Sequence, residues 1–204
     1  MTKEAKKNFD EALAGILKNG IRATQQIKAN KKSLKLKSNE YQETFGEISF
    51  DYLSSQKSYY FSIACVSGEF SDFLSKIAPP YQSNRPPDLG HDFSMNTLME
   101  DRGVFSRSNG KINLLDVTNL NEMMLHIESC LNDYYIPKVE NFLTFSSSLI
   151  EDVAKNPDFY SYPIPLIVFV MKKNSIKFKE LQTPMNKKLF KNSLFDKSLL
   201  ESQF

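Results

Sequence analysis

The chain has no tryptophan, two cysteines, two histidines and seven glycines in 204 residues, and each shortage closes off some chemistry. Seven glycines leave little room for backbone to approach a nucleotide closely, and no glycine-rich phosphate loop is present. Cys65 and Cys130 make neither a disulfide framework nor a Cys-x-x-Cys pair, which points to a reducing cytoplasm. With His91 and His126 alone, histidine-based catalysis has few ways to be assembled. Gly-x-Ser-x-Gly, His-Glu-x-x-His and the calcium-loop spacing are missing as well, so no cofactor and no metal is implied. The longest apolar run, Leu166 to Met171, is six residues, against the roughly 20 that cross a bilayer. The start of the chain is charged and amphipathic and has no apolar centre, unlike an export signal. What remains is an ordinary soluble composition, 41% hydrophobic and 25% charged, in a chain long enough to bury a core without disulfides or metals.

Of what is present, the clearest pattern is Gln42 to Ser67. Ile48, Phe50 and Tyr52 alternate with Glu47, Ser49 and Asp51. Tyr59, Phe61, Ile63 and Cys65 alternate with Tyr60, Ser62, Ala64 and Val66. Strand side chains change face at every residue, so a period of two predicts two strands. The polar Ser54 to Ser58 between them suits a hairpin loop. Each strand is apolar on one side and needs a covering layer.

The flanking segments extend this frame. Phe9, Leu13, Ile16 and Leu17 predict a helix from Thr2, its cap, to Asn19, stopped by Asn19-Gly20. Lys31 to Ser38 reads as a lysine-rich strand, and lysines commonly protect an exposed sheet edge. Gly68 ends the second hairpin strand, and a short helix follows to Ala78. Val104 to Ser108 and Lys111 to Asp116 flank Asn109-Gly110, a strong turn signal for a second hairpin. Asn119 to Tyr134 is the clearest helix, striped by Leu120, Met123, Met124, Ile127 and Leu131 and capped by Asn119. Pro137 should interrupt it, with a second helix running to about Lys155. Leu166 to Met171 fits a buried strand or a short core helix equally well. The resulting fold class is α+β: an N-terminal helix, an antiparallel meander of about five or six strands, and a helical C-terminal half packed on the sheet. One domain over residues 1–204 is expected, with helix plus sheet in 1–117 and mainly helix in 118–204. This layout resembles that of small bacterial cytoplasmic proteins, some toxin-immunity proteins among them.

Charge is unevenly placed. Residues 1–38 carry a net +7, residues 39–170 a net −10, and residues 171–204 a net +5. Either the basic ends dock on the acidic middle, or they form a surface for an anionic partner. The least regular stretch, Pro79 to Asp92, holds four prolines and a glycine, which forbid helix or central strand. Loops of this length in a compact domain are often functional. It could present Tyr81, Arg85, Asp88, His91 and Asp92 to a partner. His126 and Cys130, four apart on a helix, lack further ligands in a matching pattern. Glu100-Asp101 and Glu151-Asp152 read as solvated surface.

The sequence therefore supports a non-enzymatic cytoplasmic protein-binding module, an immunity-type or adaptor protein. Its acidic surface and proline-rich loop would take a protein partner, one of basic charge. A second reading is nucleic-acid binding through the basic ends, Lys28 to Lys37 with Lys172 to Lys191. A third is an enzyme of unfamiliar type at His91 and Asp92.

Overall fold

The computed structural model describes residues 3–86, 90–99, 110–181, 183–185 and 187–202. Its strands are β1 (Gln26–Ala29), β2 (Ser33–Lys37), β3 (Thr44–Leu53), β4 (Ser58–Ser67), β5 (Phe93–Asn96) and β6 (Ile112–Asn113). The helices are α1 (Lys3–Asn19), α2 (Gly68–Ile77), α3 (Leu120–Cys130), α4 (Ile136–Leu143), α5 (Ser148–Lys155), α6 (Pro163–Lys173) and α7 (Ser193–Glu201). The sheet is antiparallel in the order β1-β2-β3-β4-β5, and β6 also pairs with β4. The α+β class and the helical C-terminal half are as the periodicities indicate. No helix among the described residues is long and apolar enough to cross a membrane.

The chain divides into two compact units. One comprises residues 1–37, 46–64 and 95–140. Here Phe9, Leu13 and Leu17 are buried along one stripe of α1, and α1 packs on α3. Phe61 of β4 meets the edge of Tyr135 at 4.4 Å and lies 5.2 Å from Phe50 of β3. The lysine-rich strand is not the sheet edge, which corrects the expectation. β1, for which the sequence carried no period, pairs antiparallel with it from Gln26↔Lys37 to Ala29↔Leu34. Leu34 and Leu36 of β2 are buried while Lys35 and Lys37 are exposed. The predicted strand Val104 to Ser108 and Asn109 lie outside the described residues, as does Thr2. Gly110 does adopt the positive φ that its turn requires, 60°. A Cβ there would sit 1.7 Å from the Thr97 carbonyl oxygen, so only glycine fits.

Helix α3 does not stop before Pro137. Leu131–Tyr135 form one π-helical turn, in which Ile136 N–H reaches back five residues to Leu131 O. The wider turn carries the helix through a proline that lacks its own N–H. The break comes later, at Phe145, whose φ is 47°, so the helix expected to reach Lys155 is two, α4 and α5.

The other unit comprises residues 38–45, 65–94 and 141–204. Its centre is α6, which packs on α2, α5 and α7 and whose residues from Pro163 to Met171 are all buried. The ambiguous apolar run is thus helix. Pro163 and Pro165 occupy the first turn, where a missing N–H leaves no bond unmade. Ser67 caps α2 by accepting from Phe70 N–H, and Ala78 closes it at φ 44°. A left-handed alanine carries a strain of about 1 kcal/mol that glycine does not. Ala78→Gly should therefore raise the thermal midpoint by about 2–4 °C in a circular-dichroism melt.

Candidate anion-binding cleft

Of the residues singled out on the proline-rich loop, Tyr81, Arg85 and Asp92 are each committed to a different internal partner. Tyr81 is half-buried and donates its hydroxyl to Asp196 Oδ1 at 2.6 Å. Burial and that bond push its pKa up. Asp196, itself buried, also accepts Lys191 and Asn192 N–H at 2.9 and 3.0 Å. Arg85 donates Nη2 to the Ser94 carbonyl at 2.6 Å and lies 6.0 Å from the Phe159 ring centre. Burial lowers its pKa. His91 is half-buried and Asp88 lies outside the described residues. Asp92 is buried and accepts Ser67 N–H at 2.8 Å. Its backbone N–H donates to Cys65 O and its carbonyl accepts Ser161 N–H. Burial pushes the carboxyl up to about 7, against the pull of the Ser67 bond. Burial raises the Cys65 thiol well above its usual range.

His126 is exposed, and its ring nitrogens lie 3.5 and 3.7 Å from the buried Cys130 Sγ. No group of three or more His, Cys, Asp and Glu among the described residues is arranged to hold a metal. Of the paired acids, Glu151 accepts from Lys155 at 2.6 Å, while Asp152 accepts from Tyr160 and Asn156. Glu100 and Asp101 lie outside the described residues.

Side chains converge elsewhere, on the first half of α1. Residues 3, 6, 7, 10, 11 and 14 fall at helical spacings of three and four, so Lys3, Lys6, Lys7, Asp10, Glu11 and Ala14 form one stripe beside the buried one. The β1–β2 turn adds Lys31 and Lys32, held by Asn30 N–H donating to Ser33 O at 2.8 Å. Together they line a cleft of about 370 Å³. Asp10 accepts Lys6 Nζ at 2.5 Å, lies 3.1 Å from Lys32 Nζ, and accepts the buried Tyr59 hydroxyl. The Phe9 ring stacks on Tyr59 at 4.7 Å, so the core stripe of α1 fixes this corner from below. Lys6 Nζ sits 4.8 Å from the Tyr52 ring centre and Lys32 Nζ 5.3 Å from that of Tyr59. Farther along, Lys7 pairs with Glu11 at 3.7 Å.

Every perturbed group in the cleft is held in its resting charge. Burial disfavours the Asp10 carboxylate, but bonds from Lys6, Tyr59 and Lys32 outweigh it and lower the pKa. The Asp10 bond raises Lys6 against burial. Burial and the same bond push Tyr59 up to about 12. None of the three shifts toward neutral pH, so they supply fixed charge and not a proton relay. Five ammonium groups against two carboxylates leave the cleft positive. It can attract and hold an anion.

The α1 part of this site was not singled out from sequence, although its charged stripe at helical spacing was there to be read. That Tyr59 and Lys32 meet Asp10 depends on contacts 49 and 22 residues away along the chain. The charge asymmetry resolves partly inward. In one unit Lys35 pairs with Glu47 at 3.4 Å and Arg22 with Asp133 at 3.6 Å. In the other Lys173 pairs with Glu69.

Comparison of the chain with protein-family models, with curated proteins and with solved structures gives no match.

Proposed function

We propose that the protein is a non-enzymatic binding module that holds an anionic partner in the cleft formed by α1 and the β1–β2 turn. The observation that carries this reading is the gathering of Lys3, Lys6, Lys7, Lys31 and Lys32 around one depression. Their positive field would speed capture of an anion and weaken with added salt. The binding class expected from the sequence is kept, and the contact moves from the acidic middle to the basic N-terminal segment. One observation favours the move: Tyr81, Arg85 and Asp92 face internal partners.

The test is salt elution from an immobilised polyanion. Lys3, Lys7 and Lys31 are exposed, whereas Lys6 and Lys32 support Asp10. The triple variant Lys3→Glu/Lys7→Glu/Lys31→Glu should keep its circular-dichroism spectrum and elute at much lower salt than the unaltered protein. Unchanged elution of that variant, with a shift in Lys187→Glu/Lys188→Glu/Lys191→Glu, would place the contact in the C-terminal segment and overturn the reading.

A further inference from the structure

We infer that the anion taken by the lysine cleft is the phosphodiester backbone of a nucleic-acid duplex, gripped by charge alone and without reading the bases. The inference rests on the anion-binding reading above and narrows its ligand. Among the described residues that line the cleft, the cations are all lysines and none is arginine. A planar guanidinium fork matches a single carboxylate or phosphate through two bonds, whereas an ammonium is a hydrated point charge on a flexible stem. Exposed ammonium–carboxylate pairs contribute almost nothing singly. Lysines without a fork therefore gain little from the scattered carboxylates of an acidic peptide.

A duplex differs in charge density. Its phosphates hold a condensed layer of counterions, and each ammonium that replaces one releases it to solution. That gain needs no fixed geometry, which suits Lys3, Lys7 and Lys31 on the exposed rim. The rings in contact with the lining lysines argue the same way. Tyr59 is fully buried with its face against Phe9, and Tyr52 lies beneath the Lys6 ammonium. Neither ring is free to stack an unpaired base, which is how single strands are usually held. Asp10 and Glu11 also line the cleft and repel phosphate, so contact falls on the exposed Lys3, Lys7 and Lys31.

The experiment is fluorescence anisotropy with the full chain over a salt series. The probes are two duplexes of about 20 base pairs and unrelated sequence, one single strand of equal length, inorganic polyphosphate and polyglutamate. Taking the effective number of ion contacts as between the net charge of the cleft and its five lysines, log affinity for duplex should fall against log salt with a slope of about −3 to −4.5. The two duplexes should bind within about threefold of each other, since each specific base contact would add roughly tenfold. Lys31→Ala should make the slope shallower by about 1. Preference for one duplex by more than about tenfold overturns the inference by showing base readout, as does tighter binding of the single strand. Binding of polyphosphate or polyglutamate but not duplex overturns it too, while the anion-binding cleft survives. Absence of binding to every probe at low salt removes both.

Discussion

Asp92→Asn is expected to stabilise the protein at pH 8 and to flatten its stability between about pH 4 and pH 7. Asp92 is 6% exposed. Its carboxylate accepts the Ser67 N–H at 2.8 Å, and the Ser161 hydroxyl adds a smaller pull toward the charged form. Taking a charge out of water with so little compensation favours the neutral acid, so the folded protein holds the proton up to about pH 7. The unfolded chain releases it near 3.8. Below that value both states are protonated and this carboxyl sets no limit on stability. As pH rises from about 3.8 to about 7, the unfolded state ionises first and the folded state loses its advantage. The full difference amounts to about 4 kcal/mol as an upper bound. Asparagine has the same shape and can accept the Ser67 N–H without carrying a charge. At pH 8 the variant should melt several degrees above the unaltered protein, and at pH 4 the two should nearly coincide. Equal destabilisation of the variant at both values would mean that the carboxylate is better solvated or bonded than its surroundings indicate. Asp10 has the opposite sign. Its pKa is lowered by Lys6, Tyr59 and Lys32, so its contribution is present above the ordinary carboxylate range and fades as pH falls through its folded value.

Phe169→Ala should cost about 3–5 kcal/mol, read from urea unfolding. Phe169 stands on α6 where three further rings meet it: Phe145 edge-on at 4.8 Å, Phe73 at 5.4 Å and Phe70 at 5.5 Å. It is 6% exposed. Truncation removes a large apolar side chain and leaves a gap walled by rings on α2 and at the Phe145 break, each tied into its own backbone. Ser38 Oγ donates to Leu143 O and Asn174 Nδ2 to Phe145 O, both at 2.8 Å, so the backbone around the break has little freedom to collapse inward. Phe145 holds a left-handed backbone, φ 47°, against the usual cost of about 1–2 kcal/mol for a residue with a Cβ. Part of what maintains it is the ring pair with Phe169, so the two losses should couple. Phe169→Leu retains most of the volume and should cost markedly less. A loss under about 1 kcal/mol in the alanine variant would mean that the neighbouring rings close the gap.

Local periodicity was enough for the α+β class, the β3–β4 hairpin with its buried Tyr59, Phe61, Ile63 and Cys65, the core stripe of α1, and the Asn119 cap of α3. These depend on spacings of two, three and four residues, set by backbone geometry and visible in any sequence window. Contacts between distant segments decided the rest. β1 has no alternating pattern, since three of its four residues are exposed, and it is a strand because β2 offers it an unpaired edge. Leu166 to Met171 is helix because α2, α5 and α7 enclose it on all sides, and burial that complete erases the periodicity that would have named it. Asp92 and Asp10 each stand beside a phenylalanine in sequence, yet one is driven toward the neutral form and the other toward the charged form. Burial outweighs the Ser67 amide and the Ser161 hydroxyl at the first, two ammonium groups with a tyrosine act on the second, and only the folded chain creates those surroundings.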